Sequence, residues 1–375
     1  MNYVPQKKTR IEELAAESIA MLREMIAIPS PSFEEEAVCS HLCKWMGDRG
    51  IAHQRVGNNI ICRNNQGSRS RIMLCAHIDT VKPSEDYSFD PYNPDYKTAA
   101  EVISRMTDKV LNEEDLTAGL GSNDDGASVV SMIAAYRYLS EQEDAKDLIL
   151  VLTCEEERSG KGGMTTLWNE LKDEVEMAVV GEPTGMRAAT SERGLLVIDA
   201  EAEGVSGHAA RNEGVNALYI AIEDIGKIRA HKFAKVSPYM GEVNVNVTQI
   251  NAGTAHNVIP DRCTFVVDIR PTEQYTNEEI LNELQSICSS RLIPRNLSNR
   301  SSACSEGSPL LNVAQELGIE TFSSPTTSDW MRITCDAVKM GPGESKRSHK
   351  KDEYVLTEEI RNGIYTYIAF IENLK

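Results

Sequence analysis

The chain has 375 residues, 41% of them hydrophobic and 26% charged, and its 39 basic side chains against 57 acidic ones leave a formal net charge of −18. That length allows two domains, and that balance belongs to an ordinary globular protein rather than a disordered or fibrous one. The negative charge argues against nucleic acid, which needs a basic footprint, and no run of eighteen apolar residues offers a membrane span.

Residues 10–28 carry Leu14, Ile19, Leu22 and Ile26 at helical spacing and stop at Pro29 and Pro31, which predicts a helix ending there. A second helix is expected from Phe33 to about Arg49, closed by Gly50, followed by strands in "NNIICR" and "RIMLCAH". The second of these strands ends in "HIDTV". His77 and Asp79 are two residues apart, so on a strand they would share a face, as a metal-bound histidine and its orienting partner often do. A strand-end histidine beside a capping aspartate is the plainer alternative.

The segment 93–118 reads as an exposed excursion. Beyond it, "DDGASVVSMIAAYRYLS" predicts a helix opening with carboxylates, "DLILVLTCEEE" a buried strand ending in acids, and "VEMAVVGEP" a strand delivering Glu182. Strands alternating with helices, each bringing polar residues to its C-terminal end, describe an open α/β sheet with a site along that edge. Near residue 190 the style changes. "GLLVIDAEAEG", "GEVNVNVTQINAG" and "CTFVVDIRP" alternate with period two, and helical patterns lie at 214–232 and 276–292. With a weak strand near 293–303, the order is that of a split βαβ sandwich, an α+β ferredoxin-like domain over 191–304. The α/β style returns at about 305 and ends in a helix at 357–373. The expected fold class is therefore α/β, a mixed open sheet with helices on both faces from 1–190 and 305–375, interrupted by the smaller domain. Nine cysteines with no Cys-x-x-Cys pair read as reduced, mostly buried thiols, and no apolar segment follows the basic residues near the N-terminus, so a cytoplasmic location is expected.

The chemistry-bearing residues collect at strand ends or after glycine turns: His77 and Asp79, Asp124 after "GLGSN", Glu155 and Glu156 after "LILVLTC", Glu182 in "VVGEPT", and His349 after "MGPGESKRS". Singly, Asp124 is explained by a helix N-cap and the glutamate run by a solvated loop. Together, carboxylates gathered on one sheet edge call for a counter-cation. Two histidines with three carboxylates suit two divalent ions bridged by one aspartate, and imidazole with carboxylate oxygen suits zinc, cobalt or manganese.

The ordered motifs "CAHIDTV", "GLGSNDDGA", "TCEEE", "VVGEPT", "GVSGHAA", "HNVIP", "DIRP" and "GPGESKRSH..DEY" resemble the dinuclear zinc deacylases, the family of acetylornithine deacetylases, succinyl-diaminopimelate desuccinylases, aminoacylases and related carboxypeptidases. The resemblance spans nearly the whole chain. It implies a zinc-peptidase-like catalytic domain, an inserted lid that also forms a homodimer, and two metal ions per subunit. Asp124 would bridge the ions, with His77 and Glu182 on one and Glu156 and His349 on the other. Asp79 would fix the His77 tautomer. Glu155 would be the general base, passing a proton from the attacking water to the leaving amine; base and ligand are told apart within Glu155-Glu156-Glu157 only by distance from the strand.

On the lid, His208 matches the histidine that stabilises the oxyanion in the partner's site, although a histidine in "SGHAA" also suits a turn. Asn257 and Arg270 match positions that hold a substrate carboxylate, and an ion pair of Arg270 with Asp268 or Glu273 is the structural alternative. Ser328 and Asp329 match the pocket lining near the last histidine. Two features depart from the pattern: a longer segment with Leu120 where arginine is common, and Cys154 where aspartate is common.

The resemblance implies hydrolysis of the amide of a small N-acyl amino acid. N2-acetylornithine or a relative of it, such as N-acetylcitrulline or N-succinylornithine, is expected first, which would place the enzyme in arginine biosynthesis. Succinyl-diaminopimelate, an aminoacylase or dipeptidase substrate, and a non-catalytic binding protein on the same fold follow as alternatives.

Overall fold

The computed structural model describes residues 3–64, 71–211 and 213–374. They divide into two compact units, one holding the chain to Thr190 with Cys304–Phe322 and the chain from Ser328, the other Ser191–Ala303 with Ser323–Thr327.

The first unit opens with α1 (Tyr3–Ile26), which buries Leu14, Leu22 and Ile26 on one face, and α2 (Glu36–Asp48). Then come β1 (His53–Val56), β2 (Asn59–Arg63) and β3 (Arg71–His77). Gly57, with φ at 60°, makes the two-residue turn between β1 and β2 possible, since positive φ favours glycine. The segment expected to be an exposed excursion has a core of its own. It forms α3 (Tyr96–Thr107), capped by the Asp95 carboxylate on Thr98 N, and β4 (Leu116–Ala118). Ala99, Ala100 and Ile103 of α3 pack with Phe89, Leu116 and Tyr354.

After β4 come α4 (Ala127–Ser140), β5 (Leu148–Thr153), α5 (Met164–Leu171), β6 (Val175–Val180) and β7 (Ala188–Glu192), which leads into the second unit. β5 is buried along its whole length. A strand paired on both edges and covered on both faces needs such a continuous apolar run, which explains "LILVLT".

The second unit contains β8 (Leu196–Glu203), β9 (Gly207–His208), α6 (Ala217–Ala230), β10 (Asn244–Ala252), β11 (Val258–Ile259), β12 (Arg262–Arg270), α7 (Asn277–Ile287), β13 (Arg291–Pro294) and β14 (Ser302–Ala303). Its main sheet is antiparallel in the order β10-β12-β8-β13. The β-α-β-β-α-β order expected from the sequence is present, with the last strand at 291–294. Leu196, Ile198 and Ala200 of β8 and Phe265, Val267 and Ile269 of β12 meet Ile280 and Leu284 of α7 in a separate core.

Back in the first unit, α8 (Pro309–Glu316) and β15 (Thr321–Ser324) precede β16 (Asp336–Lys339), β17 (Tyr354–Leu356) and α9 (Thr357–Asn373). The order β1-β2-β5-β3-β6-β16 places β3 centrally, parallel to both β5 and β6, with β16 parallel to β6. Helices α1, α4 and α9 pack on one another, and α4 lies against β3 and β5. Three parallel strands therefore finish at one edge, and their last residues are His77, Thr153 and Val180. No described helix is long and apolar enough to cross a membrane, and all nine cysteines are unbridged.

Candidate metal centre

His77 ends β3 and is buried. Its Nε2 lies 3.2 Å from Asp124 Oδ1, and its Nδ1 lies 3.0 Å from the Asp79 carbonyl and 3.5 Å from Asp79 Oδ1. The Asp79 carboxylate has a larger task than orienting the ring. It accepts from the backbone N–H of Glu156 at 3.0 Å and of Glu157 at 3.1 Å and from Ser32 Oγ at 2.7 Å, so it holds the glutamate turn against the end of β3.

Asp124 sits in the irregular turn Ser122–Gly126 that precedes α4. Its other oxygen, Oδ2, lies 3.7 Å from His349 Nε2, so one carboxylate faces two histidines with one oxygen each. The turn is fixed from behind by Glu353, whose Oε1 accepts the N–H of Asn123 and of Asp124, each at 2.9 Å. His349 Nε2 lies 2.9 Å from Glu157 Oε1. Ligand atoms of His77, Asp124 and Glu157 lie within 4.8 Å of one another, and so do those of His77, Glu156 and Glu182.

The structure places Glu155 outside this cluster. At the end of β5 it takes a left-handed conformation with φ at 61°, and its carboxylate accepts from Gly162 N at 2.8 Å. Gly160 and Gly162 leave room for it, since a Cβ at either would fall within 2.5 Å of its carboxylate oxygens. The strand alternation stops at that residue. Glu156 and Glu157, one step further along, carry the carboxylates that join the histidines, and Glu157 is the site residue that the sequence reading left without a role. Glu353 is another. The motif "DEY" drew notice to it, but its support of Asp124 is visible only once the chain is folded.

Charge is crowded here. Burial drives Glu156 well above the usual carboxylate range, and its neighbours Glu182, Glu157 and Asp329 add to the rise against the pull of His77. Burial likewise pushes Glu182 well up, opposed by the fully buried Lys339 and reinforced by Asp124. For His77, burial would lower the pKa, but hydrogen bonds to Asp124 and Asp79 carry it well above its ordinary value. The Glu157 hydrogen bond raises His349 to about 9. So many carboxylates gathered beside two histidines form an environment that a dication relieves. The donor set fits that cation, with nitrogen and carboxylate oxygen in two groups that share His77.

Asp329, which opens the turn Asp329–Arg332, acts electrostatically on Glu156, and Ser328 caps that turn. The Ser328 hydroxyl caps Trp330 N at 3.3 Å, and Asp329 Oδ2 accepts from Thr153 Oγ1 at 2.6 Å. Burial raises Asp329 to about 6. In the second unit, His208 is exposed on β9 and pairs with Val258 of β11, next to Asn257, whose carbonyl accepts Ala209 N at 3.0 Å. Arg270 lies on β12 with its guanidinium engaged by Asp268 at 2.8 and 3.1 Å, the structural alternative named above.

A largely buried histidine–carboxylate cluster at the C-terminal ends of three parallel strands has the donors and the placement of a hydrolytic metal centre. Two family models match in succession, "Peptidase family M28" over residues 59–190 and "Peptidase dimerisation domain" over 190–296. Among curated relatives, a succinyl-diaminopimelate desuccinylase of Corynebacterium glutamicum is 25% identical, with 93% of this chain and 94% of that protein aligned. An acetylornithine deacetylase of Edwardsiella ictaluri is 26% identical over 91% of this chain and 94% of its own. The crystal structure of aminopeptidase PepT from Bacillus cereus shares the fold at a TM-score of 0.72 and 19% identity, covering 97% of this chain and 98% of that one. The chain is therefore similar, along nearly its whole length, to curated deacylases, and it carries matches to a peptidase family and to a peptidase dimerisation domain.

Proposed function

We propose that the protein hydrolyses the amide bond of a small N-acyl amino acid in a site built for two divalent ions, zinc being the first choice for this donor set and cobalt or manganese the others. The observation that carries this reading is Asp124, with one oxygen toward His77 and the other toward His349. His77 and Glu182 would complete one site and His349 and Glu157 the other. Three protein ligands at each ion leave a position for substrate or water. Bound ions would polarise the amide carbonyl and lower the pKa of the attacking water.

Glu156 is then the carboxylate in the cluster without a ligand role, and we assign it as the general base in place of Glu155. Burial raises its pKa, which suits a group that must take a proton and then give it to the leaving amine. Lys339 offsets the charge of Glu182. Asp329, bonded to Thr153 at the end of β5, and Ser328, capping the next turn, act as supports of the site rather than as substrate contacts.

In the second unit we keep His208 as the group that would stabilise the oxyanion in a partner's site, with Asn257 and Arg270 to receive a substrate carboxylate. Exposure of His208 and Asn257 supports this. Homodimerisation fits the matched dimerisation model and the exposed apolar residues Tyr219, Ile222 and Ile250. Nine unbridged thiols suit a reducing cytoplasm.

For substrate we propose N2-acetyl-L-ornithine or a close relative, in arginine biosynthesis, with succinyl-diaminopimelate as the second reading because a desuccinylase matches at similar identity. Amine release would be measured from N-acetylornithine, N-succinylornithine, N-acetylcitrulline and succinyl-diaminopimelate, before and after chelation and after zinc or cobalt is restored. Turnover of an ornithine or citrulline conjugate only with metal is expected. Metal-dependent turnover of succinyl-diaminopimelate alone would replace the first substrate by the second, and silence on all four would turn the search to dipeptides.

A further inference from the structure

The insertion that carries α3 has no part in the reaction proposed above, yet it forms one wall of a groove of about 480 Å³ whose other wall is the loop around residues 346–352. Lys109 lines it from the turn after α3, where Asp108 is left-handed with φ at 54°. Lys346 and Lys350 line it from the loop, on either side of His349.

The other two cations of the lining are already matched. Arg347 is held by Glu359 at 2.6 and 2.9 Å, and Lys351 by Asp86 at 3.0 Å. Lys109, Lys346 and Lys350 have no ion pair among the described residues. Of the lining carboxylates, Asp352 accepts from Ser88 N and Oγ, which leaves Asp108 facing three lysines.

A chain with 57 acidic and 39 basic side chains has ample acids to neutralise its lysines. Three unmatched ammonium groups around one concavity repel one another, and an anionic guest removes that repulsion. An ammonium is a compact point charge that meets phosphate oxygens from any direction, whereas carboxylate recognition favours the planar fork of arginine. Here the one arginine has its terminal nitrogens taken up by Glu359. Met106, Leu111 and Tyr354 supply an apolar part of the wall, and the volume is that of a small-molecule site.

We propose that this groove binds a phosphate-bearing small organic molecule, with the phosphate on Lys109, Lys346 and Lys350 and the organic part against Leu111 and Tyr354. The groove shares no lining residue with the metal cluster, so the proposal stands or falls apart from the reaction.

The test is calorimetric titration of metal-loaded protein with AMP, ribose 5-phosphate, inorganic phosphate and succinate at fixed ionic strength. It is run on the native chain, on a Lys109→Ala/Lys346→Ala/Lys350→Ala variant, and on Lys232→Ala, a surface lysine of the second unit paired with Glu242. Saturable binding of the phosphate esters, weakened at least tenfold in the triple variant and unchanged in Lys232→Ala, is the expected result. Undiminished binding in the triple variant would put the anion on the metal centre and overturn the proposal. So would equal binding of succinate, or no saturable binding of any phosphate compound. The three lysines are exposed, so the variant should keep its melting temperature, and calorimetry checks this before titration.

Discussion

The two units bury their strands in different ways. In the first, β5 is buried along all six residues and β3 along six of its seven, so polar side chains reach the edge of the sheet only where a strand stops. In the second, β8 alternates buried and half-buried positions, and β10 is exposed or half-exposed along its whole length. A sheet covered on both faces gathers its chemistry at one edge, where the candidate ligands at the ends of β3, β5 and β6 converge. A sheet covered on one face leaves the other for contact with something else. The substitutions below test this contrast, first at the sheet edge of the first unit and then on the second unit.

The largest effect belongs to the glutamate run. Glu156→Ala should lower kcat by about 10²–10⁴-fold, the usual contribution of a general base, while metal content measured by atomic absorption stays near that of the native chain. Glu155→Ala should stay within about tenfold of native, because that carboxylate serves the Gly160–Gly163 turn. The opposite ranking would return the base to Glu155 and undo the reassignment.

Removing the metal should make stability depend on pH. His349 is raised from 6.5 to about 9, so the folded metal-free protein holds that proton more tightly than the unfolded chain does. The stability this supplies is full below about 6.5 and is lost as pH rises through about 9. Glu353, raised by burial and then by Asp124 from 4.5 to about 8, has the same sign, its contribution disappearing between those values. The lowered pKa of Asp124 opposes them. The melting temperature of chelated protein should therefore fall by several degrees between pH 5 and pH 9, and zinc should remove most of that fall by favouring the ionised carboxylates and neutral imidazoles. Equal slopes with and without metal would mean that these groups do not bind it.

A smaller effect tests whether the second unit acts across a dimer. Chains carrying His208→Ala and chains carrying Glu156→Ala should each be nearly inactive, and mixing them after mild dissociation should restore part of the activity. Activity that stays absent after mixing, with mixed dimers shown by native mass spectrometry, would confine His208 to its own chain.

Much of this was legible before folding. Buried parallel strands announce themselves as apolar runs, and each of "RIMLCAH", "LILVLT" and "VEMAVV" ends where the cluster begins. The register inside the glutamate run was not, because period-two alternation holds only while the chain is a strand. Glu155 leaves it with φ at 61°, and no propensity marks which of three identical side chains turns away. The core beneath α3 was missed as well, since its buried face carries the small Ala99 and Ala100 with Ile103 and packs on Tyr354, from far along the chain. Arg270 is paired with Asp268, two residues back on the same face of the strand, a contact that the sequence itself offered beside the substrate role.

The smallest expected effect is on the stability of a single subunit, and it sharpens the contrast most. Ile250 lies on β10, at the edge of its sheet, and is 46% exposed. Ile250→Thr keeps the β-branch that suits a strand and removes little buried area, so subunit stability in urea should change by no more than about 0.5 kcal/mol. If β10 and the exposed Tyr219 and Ile222 of α6 form the contact between copies, the same change buries a hydroxyl at that contact and shifts the monomer–dimer equilibrium toward monomer. Sedimentation at several concentrations reads the second effect and leaves the first aside. A weaker dimer with unchanged subunit stability would locate the interface on this open face. An unchanged dimer would move the contact elsewhere on the unit and leave the exposure of β10 to be explained by another partner.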